Sequence, residues 1–136
     1  MKAATRNRVA VTGLGIISSL GEDVGGFWKA LRCGQSGFVA LPDPGEPAFR
    51  FSLGAAIPTF DPKEHFKAKE IAYLDRFAQF AAVAARQAVE QSGLCFSGDL
   101  KDGTAVITGS SVGGQGTQEE AYLNLYRCNE IGRAHV

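Results

Sequence analysis

The chain has 136 residues, of which 45% are hydrophobic and 21% are charged, and its 14 basic residues balance its 14 acidic ones. This length and composition are typical of one globular domain, and the formal charge of zero excludes a global field that would recruit nucleic acid or an anionic membrane. The three cysteines, Cys33, Cys95 and Cys128, form no CxxC pair. Their pattern argues against a disulfide framework and a zinc site, and it predicts a reducing, cytoplasmic location.

The first predicted element is a buried strand, which is followed by a glycine turn. Val9 and Val11 belong to a short β-branched run, and Gly13 and Gly15 come directly after it. The apolar stretch is interrupted by polar residues and is too short to span a bilayer, so we expect neither a signal peptide nor membrane insertion. A helix is predicted over residues 22–33, because its apolar residues form one stripe: Val24, Phe27, Trp28 and Leu31.

The middle of the chain is predicted as a loop that leads into a long helix. Residues 35–62 contain all 5 prolines, and the alternating apolar residues within 49–53 indicate a short half-buried strand. Asp61 and Pro62 predict the N-cap and first residue of a short helix that continues to Phe66.

One long helix is predicted over residues 69–92, with Gly93 as its stop signal. Its second half, residues 81–85, is apolar almost all round, which predicts burial with close approach to another element. Residues 94–103 are predicted as a loop.

The last part of the chain is predicted as a buried strand at 104–108, a glycine-rich segment at 109–116 and a further helix. Thr117 and Glu120 have the spacing of a capping box, which predicts that this helix begins at Thr117. Strands that alternate with helices predict an α/β fold with a largely parallel sheet.

Neither glycine-rich segment has the full pattern of a nucleotide-binding loop. In the first, Ser18 replaces the third glycine of the dinucleotide fingerprint, and residues 31–41 contain no carboxylate that could hold a ribose. The second lacks the Gly-Lys-Ser/Thr of a phosphate-binding loop. A tight strand-to-helix turn explains either segment, and a nucleotide-binding α/β module remains a distant alternative.

The spacing of the residues predicts no catalytic or metal-binding constellation. His65 and His135 have no companion ligands at metal-site spacing, and none of the cysteines follows a strand where a nucleophile would be presented. We therefore expect these side chains to be structural or to lie on the surface.

Three segments resemble the elongating, type II β-ketoacyl-acyl-carrier-protein synthases, in the same order along the chain. They are RVAVTGLGIISSLGEDVGGFWKALRCGQSG, LDRFAQFAAVAARQAVEQSGL and AVITGSSVGGQGTQEEAY. Ser19 replaces the family's usual proline, and Ser111 a common glycine. The resemblance implies a partial thiolase-like fold, in which this chain is the front part of the N-terminal half and its mostly parallel sheet is packed with helices.

The resemblance also implies an acyltransferase that performs a decarboxylative Claisen condensation in fatty-acid or polyketide elongation. The substrates would be carried on the phosphopantetheine of acyl carrier protein, with no bound cofactor or metal, and the full-length protein would be a homodimer. The family's nucleophilic cysteine and two histidines would lie beyond residue 136, so no catalytic residue is carried over to this chain. A chain-length-factor paralogue without the nucleophile is the alternative.

Two groups of site residues follow from the resemblance. Val112 matches a bulky residue that lines the family's acyl pocket, and Gly109, Gly113 and Gly114 would shape that loop. Lys67 and Lys69 are the candidates for docking acyl carrier protein, although they lie farther from the LDRF motif than the family's basic residues.

Residues 130–136 do not continue the family pattern. One reverse translation of Glu-Ile-Gly-Arg-Ala-His-Val contains AGATCGGAAGAGCACACGTC, the start of a widely used sequencing adapter. We therefore expect an incomplete synthase domain over residues 1–129 and a non-native tail over residues 130–136.

Overall fold

The structure is a computed structural model that describes residues 8–42 and 50–128. The described residues contain both helices and a small sheet. In chain order the elements are α1 (Val24–Arg32), β1 (Val39–Ala40), β2 (Leu53–Gly54), a 3-10 helix (Pro62–Glu64), α2 (Ala68–Ile71), α3 (Arg76–Ser92), α4 (Asp99–Asp102) and α5 (Gln115–Cys128).

Aspartate side chains cap α1 and the 3-10 helix, and the second of these caps was predicted. Asp23 is the N-cap of α1, and its Oδ1 accepts a hydrogen bond from the Gly26 amide at 2.9 Å. Asp61 caps the 3-10 helix in the same way, and Pro62 is its first residue. Both helices were predicted at these places, with ends within two residues of those observed.

The single helix predicted over 69–92 is wrong, because α2 and α3 are separate. Asp75 has an extended backbone (φ −63°, ψ 156°) and caps α3, so the chain cannot pass through it as continuous helix. Gly93 ends α3 in the left-handed conformation, at φ 64°. The predicted burial of residues 81–85 is only partly correct, since Val83 is buried whereas Ala81 and Ala85 are exposed.

A small aromatic core lies between α3 and the segment that precedes it. Phe60, Phe66 and Val83 are buried, and Phe60 packs edge-to-face on Phe80 with ring centroids 4.9 Å apart. The partly buried residues around this core come from several elements: Ile17, Ile57, Ile71, Leu74, Phe80 and Ala82.

The buried strand predicted around Val9 and Val11 is wrong. These side chains are 92% and 79% exposed, and the chain that follows runs along α3 instead of pairing with a strand. The amides of Leu14 and Ile16 donate to Gln91 Oε1 at 2.6 Å and Gln87 Oε1 at 2.9 Å. Side chains of α3 therefore accept backbone hydrogen bonds that a neighbouring β-strand would accept in a sheet.

The buried strand predicted at 104–108 is also wrong, since Val106 and Ile107 are 87% and 93% exposed. A β-strand needs backbone hydrogen bonds to a neighbour, and this segment forms no ladder with another described residue. The preceding stretch, predicted as a loop, contains the short helix α4.

Within the described ranges the sheet consists of β1 and β2, which pair antiparallel with Val39 opposite Gly54 and Ala40 opposite Leu53. The described residues thus do not confirm a mostly parallel sheet. β2 overlaps the predicted strand at 49–53 only at Leu53, which is 58% exposed instead of half-buried. Residue 49 lies outside the described residues.

Candidate functional site: the glycine-rich loop and its anchor

The glycine-rich loop, residues 109–114, leads directly into α5. Gly113 adopts a left-handed conformation with φ 79°, which an L side chain rarely adopts. Its amide donates to Ser110 Oγ at 2.9 Å, and its carbonyl accepts from the Gln115 amide at 3.1 Å. The segment is therefore a tight turn into a helix, held partly by its own hydrogen bonds.

The Asp75 carboxylate connects this turn to the start of α3. Its Oδ1 accepts a hydrogen bond from the Phe77 amide at 3.1 Å, which caps α3. Its Oδ2 accepts from the Thr117 amide at 3.2 Å and from the Thr117 hydroxyl. Thr117 is the third residue of α5, whose first amides have no partner within the helix. One carboxylate therefore caps two helices.

The capping box predicted at Thr117 and Glu120 is wrong, because Thr117 lies inside α5. α5 begins at Gln115, two residues before the predicted N-cap. In a capping box the Thr117 hydroxyl oxygen would accept a hydrogen bond from an amide of its own helix, whereas the observed bond is one that the hydroxyl donates to Asp75.

Gly114 lets the loop approach Asp75 closely. A Cβ built on Gly114 would lie 2.9 Å from Asp75 Oδ2, closer than real Cβ contacts. A larger residue would displace the carboxylate or the loop, so this glycine is required by packing.

The hydrogen bonds around Asp75 also favour its charged form. The Thr117 hydroxyl is the main cause that lowers the pKa of Asp75, and the amides of Phe77, Thr117 and Arg76 add to it, against a partial desolvation. A negative charge beside two helix N-termini is also favoured by the helix dipoles.

Of the four residues predicted to shape an acyl pocket, two have close contacts in the structure and two do not. Gly113 and Gly114 form the anchored end of the loop, whereas Val112 is 64% exposed and a Cβ on Gly109 would have no heavy atom within 4 Å. A separate groove of about 420 Å³ runs along one face of α5 and does not include Val112. Its lining residues are Gln115, Gln118, Glu119, Tyr122, Leu123 and Tyr126.

The predicted docking lysines lie on the exposed surface around α2. Lys67 precedes α2 and its amide donates to Glu70 Oε2 at 2.8 Å, while Lys69 is part of the helix. Both side chains are exposed.

Two arginines of α3 that sequence reasoning did not select contact the segment that precedes α2. Arg76 donates to the Ile57 carbonyl at 2.6 Å and lies 5.0 Å from the Phe80 ring centroid. Arg86 donates to the His65 carbonyl at 2.8 Å and lies 4.7 Å from the Phe66 ring. Arg76 belongs to the LDRF segment of the family resemblance, but the carbonyls that Arg76 and Arg86 contact lie 19 and 21 residues away in sequence, so neither contact was predicted.

The remaining candidate side chains have structural surroundings. The His65 ring stacks on Phe60 with centroids 5.2 Å apart, and Cys33 and Cys95 are exposed and unpaired by disulfides. Cys128 ends α5, and His135 lies outside the described residues. Across residues 8–42 and 50–128, no three His, Cys, Asp or Glu side chains are grouped to hold a metal ion. The same two ranges contain no helix with the length and apolar character needed to cross a bilayer.

The arrangement of these elements matches a solved ketosynthase fold. A chain titled "The ishigamide ketosynthase/chain length factor" superimposes with a TM-score of 0.69 over 89% of this chain and 30% of its own length, at 24% identity. At 24% identity this likeness shows the class of fold to which the chain belongs and nothing about its function.

The sequence places the chain within that class. Residues 6–134 match the family described as "Beta-ketoacyl synthase, N-terminal domain", and the chain belongs to this family. It is 37% identical over 117 residues to "3-oxoacyl-[acyl-carrier-protein] synthase 2" of Coxiella burnetii, with 86% of this chain and 28% of that protein aligned. The protein of the same name from Vibrio cholerae is 34% identical over 110 residues, which cover 81% of this chain and 27% of that protein.

These matches confirm the resemblance inferred from the three sequence segments. They give no support to the nucleotide-binding alternative. The chain spans little more than a quarter of the length of the curated relatives, 28% for the protein from Coxiella burnetii.

Proposed function

We propose that this chain is the N-terminal part of a 3-oxoacyl-acyl-carrier-protein synthase, and that its synthase domain comprises residues 1–129. The complete protein would condense an acyl thioester with malonyl-carrier protein, releasing CO₂, in fatty-acid or polyketide chain elongation. The observation that supports the assignment to a synthase is the family match over residues 6–134 together with relatives named as synthases, whereas the boundary at residue 129 rests on the adapter-like codons of residues 130–136.

In this proposal the chain binds and orients substrate, and the bond-making groups lie elsewhere. The nucleophilic cysteine and the two histidines would be beyond residue 136, so the chain alone would be inactive. The surroundings of His65 and Cys33 agree with this, since the first is stacked on Phe60 and the second is exposed at the end of α1. No cofactor is required, because the acyl groups arrive on the phosphopantetheine of the carrier protein.

The chain's own contribution would be one wall of the acyl pocket and part of the docking surface. Val112, Gly109, Gly113 and Gly114 would face the acyl chain, and the exposed ammonium groups of Lys67 and Lys69 would attract an acidic carrier protein. The complete protein would be a cytoplasmic homodimer with a thiolase-like fold. Its mostly parallel sheet would supply the strand partners that Val9, Val11, Val106 and Ile107 lack among the described residues.

The deciding experiment is to sequence the gene beyond the codon for Arg127 and express the complete reading frame. The purified protein is expected to convert acyl- and malonyl-carrier protein to 3-oxoacyl-carrier protein with release of CO₂. A cysteine at the nucleophile position with no condensation would contradict the proposal. A frame without that cysteine would identify a chain-length-factor paralogue.

The same sequence tests our proposal that residues 130–136 are a non-native tail from adapter read-through. An independent clone is expected to diverge from the present sequence at about residue 130. Native codons for Glu-Ile-Gly-Arg-Ala-His-Val, followed by genomic sequence, would refute it.

A further inference from the structure

The Asp75 carboxylate is positioned to control the geometry of the glycine-rich loop. Its two oxygens are divided between two helices, with Oδ1 on the first turn of α3 and Oδ2 on the first turn of α5. Thr117 is 42 residues away in sequence, so this contact joins two elements that local structure leaves independent.

The opposite part of the loop has few contacts with the described residues. Val112 is 64% exposed, and an added Cβ on Gly109 would meet no heavy atom within 4 Å. The close contacts to Asp75 are at Gly114 and Thr117. The anchored end of the loop therefore determines how Val112 is presented.

We propose that Asp75 is a positioning residue for the acyl pocket: through its hydrogen bonds to Thr117, it sets the place of the glycine-rich loop and hence of Val112 relative to α3. The inference rests on the proposed function, because only a condensing enzyme gives Val112 an acyl chain to select. Asp75 does not touch the reacting atoms in this scheme and acts through the loop.

The chemistry of the side chain allows its two contacts to be separated. Asn in place of Asp75 keeps one carbonyl oxygen that can accept from the Phe77 amide, but its NH₂ group would face the Thr117 amide as a second donor. D75N should therefore keep the α3 cap and lose the anchor. T117V removes the hydroxyl bond alone, and T117S retains it.

Amide hydrogen exchange in the protein expressed from the complete reading frame tests the anchor. In D75N and T117V we expect exchange at residues 113–119 to rise roughly tenfold, the loss expected for a hydrogen bond to a charged group, while residues 76–83 stay close to wild type. T117S should restore wild-type exchange. T59V is the matched control, because it removes a Thr hydroxyl bond to a different carboxylate, that of Glu22.

The enzyme's preference for long or short acyl chains tests whether the Asp75–Thr117 contact affects the acyl pocket. The ratio of kcat/KM values for a long and a short acyl-carrier substrate is expected to change at least about fivefold in T117V and to return in T117S, whereas a merely structural defect would lower both values together. An unchanged ratio, unchanged exchange at 113–119, or an equal rise of exchange throughout α3 and α5 would overturn the inference. If the wild-type protein does not catalyse the condensation, both the proposed function and the acyl-pocket role of Asp75 fail. The hydrogen-exchange result would still show whether the hydrogen bonds between Asp75 and Thr117 hold the loop.

Discussion

Gly15 lies directly against the backbone carbonyl of Ala84 in α3, so closely that a Cβ on Gly15 would overlap the Ala84 oxygen. Gly13 has the same relationship to Ala88, one helical turn further along. The Gly-x-Gly pattern resembles the start of a dinucleotide fingerprint. Here its two glycines let an extended segment pack on a helix. Its glycines are explained by this packing without any ligand.

We predict that G15A destabilises the complete protein by roughly 3 kcal/mol or more, because the added methyl group must displace backbone and not a flexible side chain. Urea unfolding of the two proteins measures the difference. G116A is the matched control: its Cβ meets no heavy atom within 4 Å, and alanine favours the helix, so its stability should equal or exceed that of wild type. Equal stability of G15A and wild type would contradict the packing.

The exposed β-branched residues predict that the 136-residue chain associates when it is expressed alone. Val9, Val106 and Ile107 are 92%, 87% and 93% exposed, and such apolar surface promotes aggregation. We expect light scattering and dye binding to fall when Val106 and Ile107 are both replaced by threonine. A soluble monomer of the unmodified chain with a cooperative thermal transition would contradict this expectation.

Asp75 predicts an acid-sensitive contribution to stability. Its pKa is lowered on folding, mainly by the Thr117 hydroxyl, from an ordinary value of 3.8. Because the folded pKa is the lower one, the carboxylate stabilises the folded protein above the ordinary value, and that stabilisation is lost as the pH falls through the folded pKa. Urea unfolding between about pH 6 and pH 2 should show a steeper loss in wild type than in D75N. Parallel curves would show that Asp75 makes no such contribution.

If Lys67 and Lys69 dock the carrier protein, reversing their charges should weaken carrier-protein binding and leave the chemical step unchanged. Reversal of both lysines in K67E/K69E is expected to raise KM for the carrier-bound substrate roughly tenfold at low salt, with kcat nearly unchanged. Added salt should reduce the difference from wild type. K101E reverses an exposed lysine on α4 and is the control. An equal effect of K101E would assign the defect to net charge instead of a docking site.

Features governed by neighbouring residues were predictable from the sequence. Asp61 with Pro62 begins the 3-10 helix and Gly93 ends α3, because caps depend on side chains and φ angles within one turn. The β-branched residues at 9–11 and 104–108 predicted strands that the structure lacks. A strand depends on a partner elsewhere, and the apolar pattern does not reveal whether one is available.

The contact between Asp75 and Thr117 could not be predicted from the sequence either. Thr117 and Glu120 matched a local capping box, yet the threonine hydroxyl donates to a carboxylate 42 residues away. Thr117 lies inside α5, where it cannot act as the N-cap, and its hydroxyl and amide both donate to the charged carboxylate that already caps α3. Sequence motifs therefore found the loop but not its anchor.

By itself, the sequence determined the family of this protein, the start of the 3-10 helix at Asp61 and Pro62, the end of α3 at Gly93 and the glycine-rich character of the loop, because these depend on residue identity and on neighbours within a turn or two. Only the tertiary structure decided that Gly13 and Gly15 accommodate α3, that the long apolar helix is interrupted at Asp75, and that one carboxylate holds two helix starts together. Each of these depends on which distant backbone groups come within hydrogen-bonding or van der Waals distance, and that is set by the packing of the whole chain.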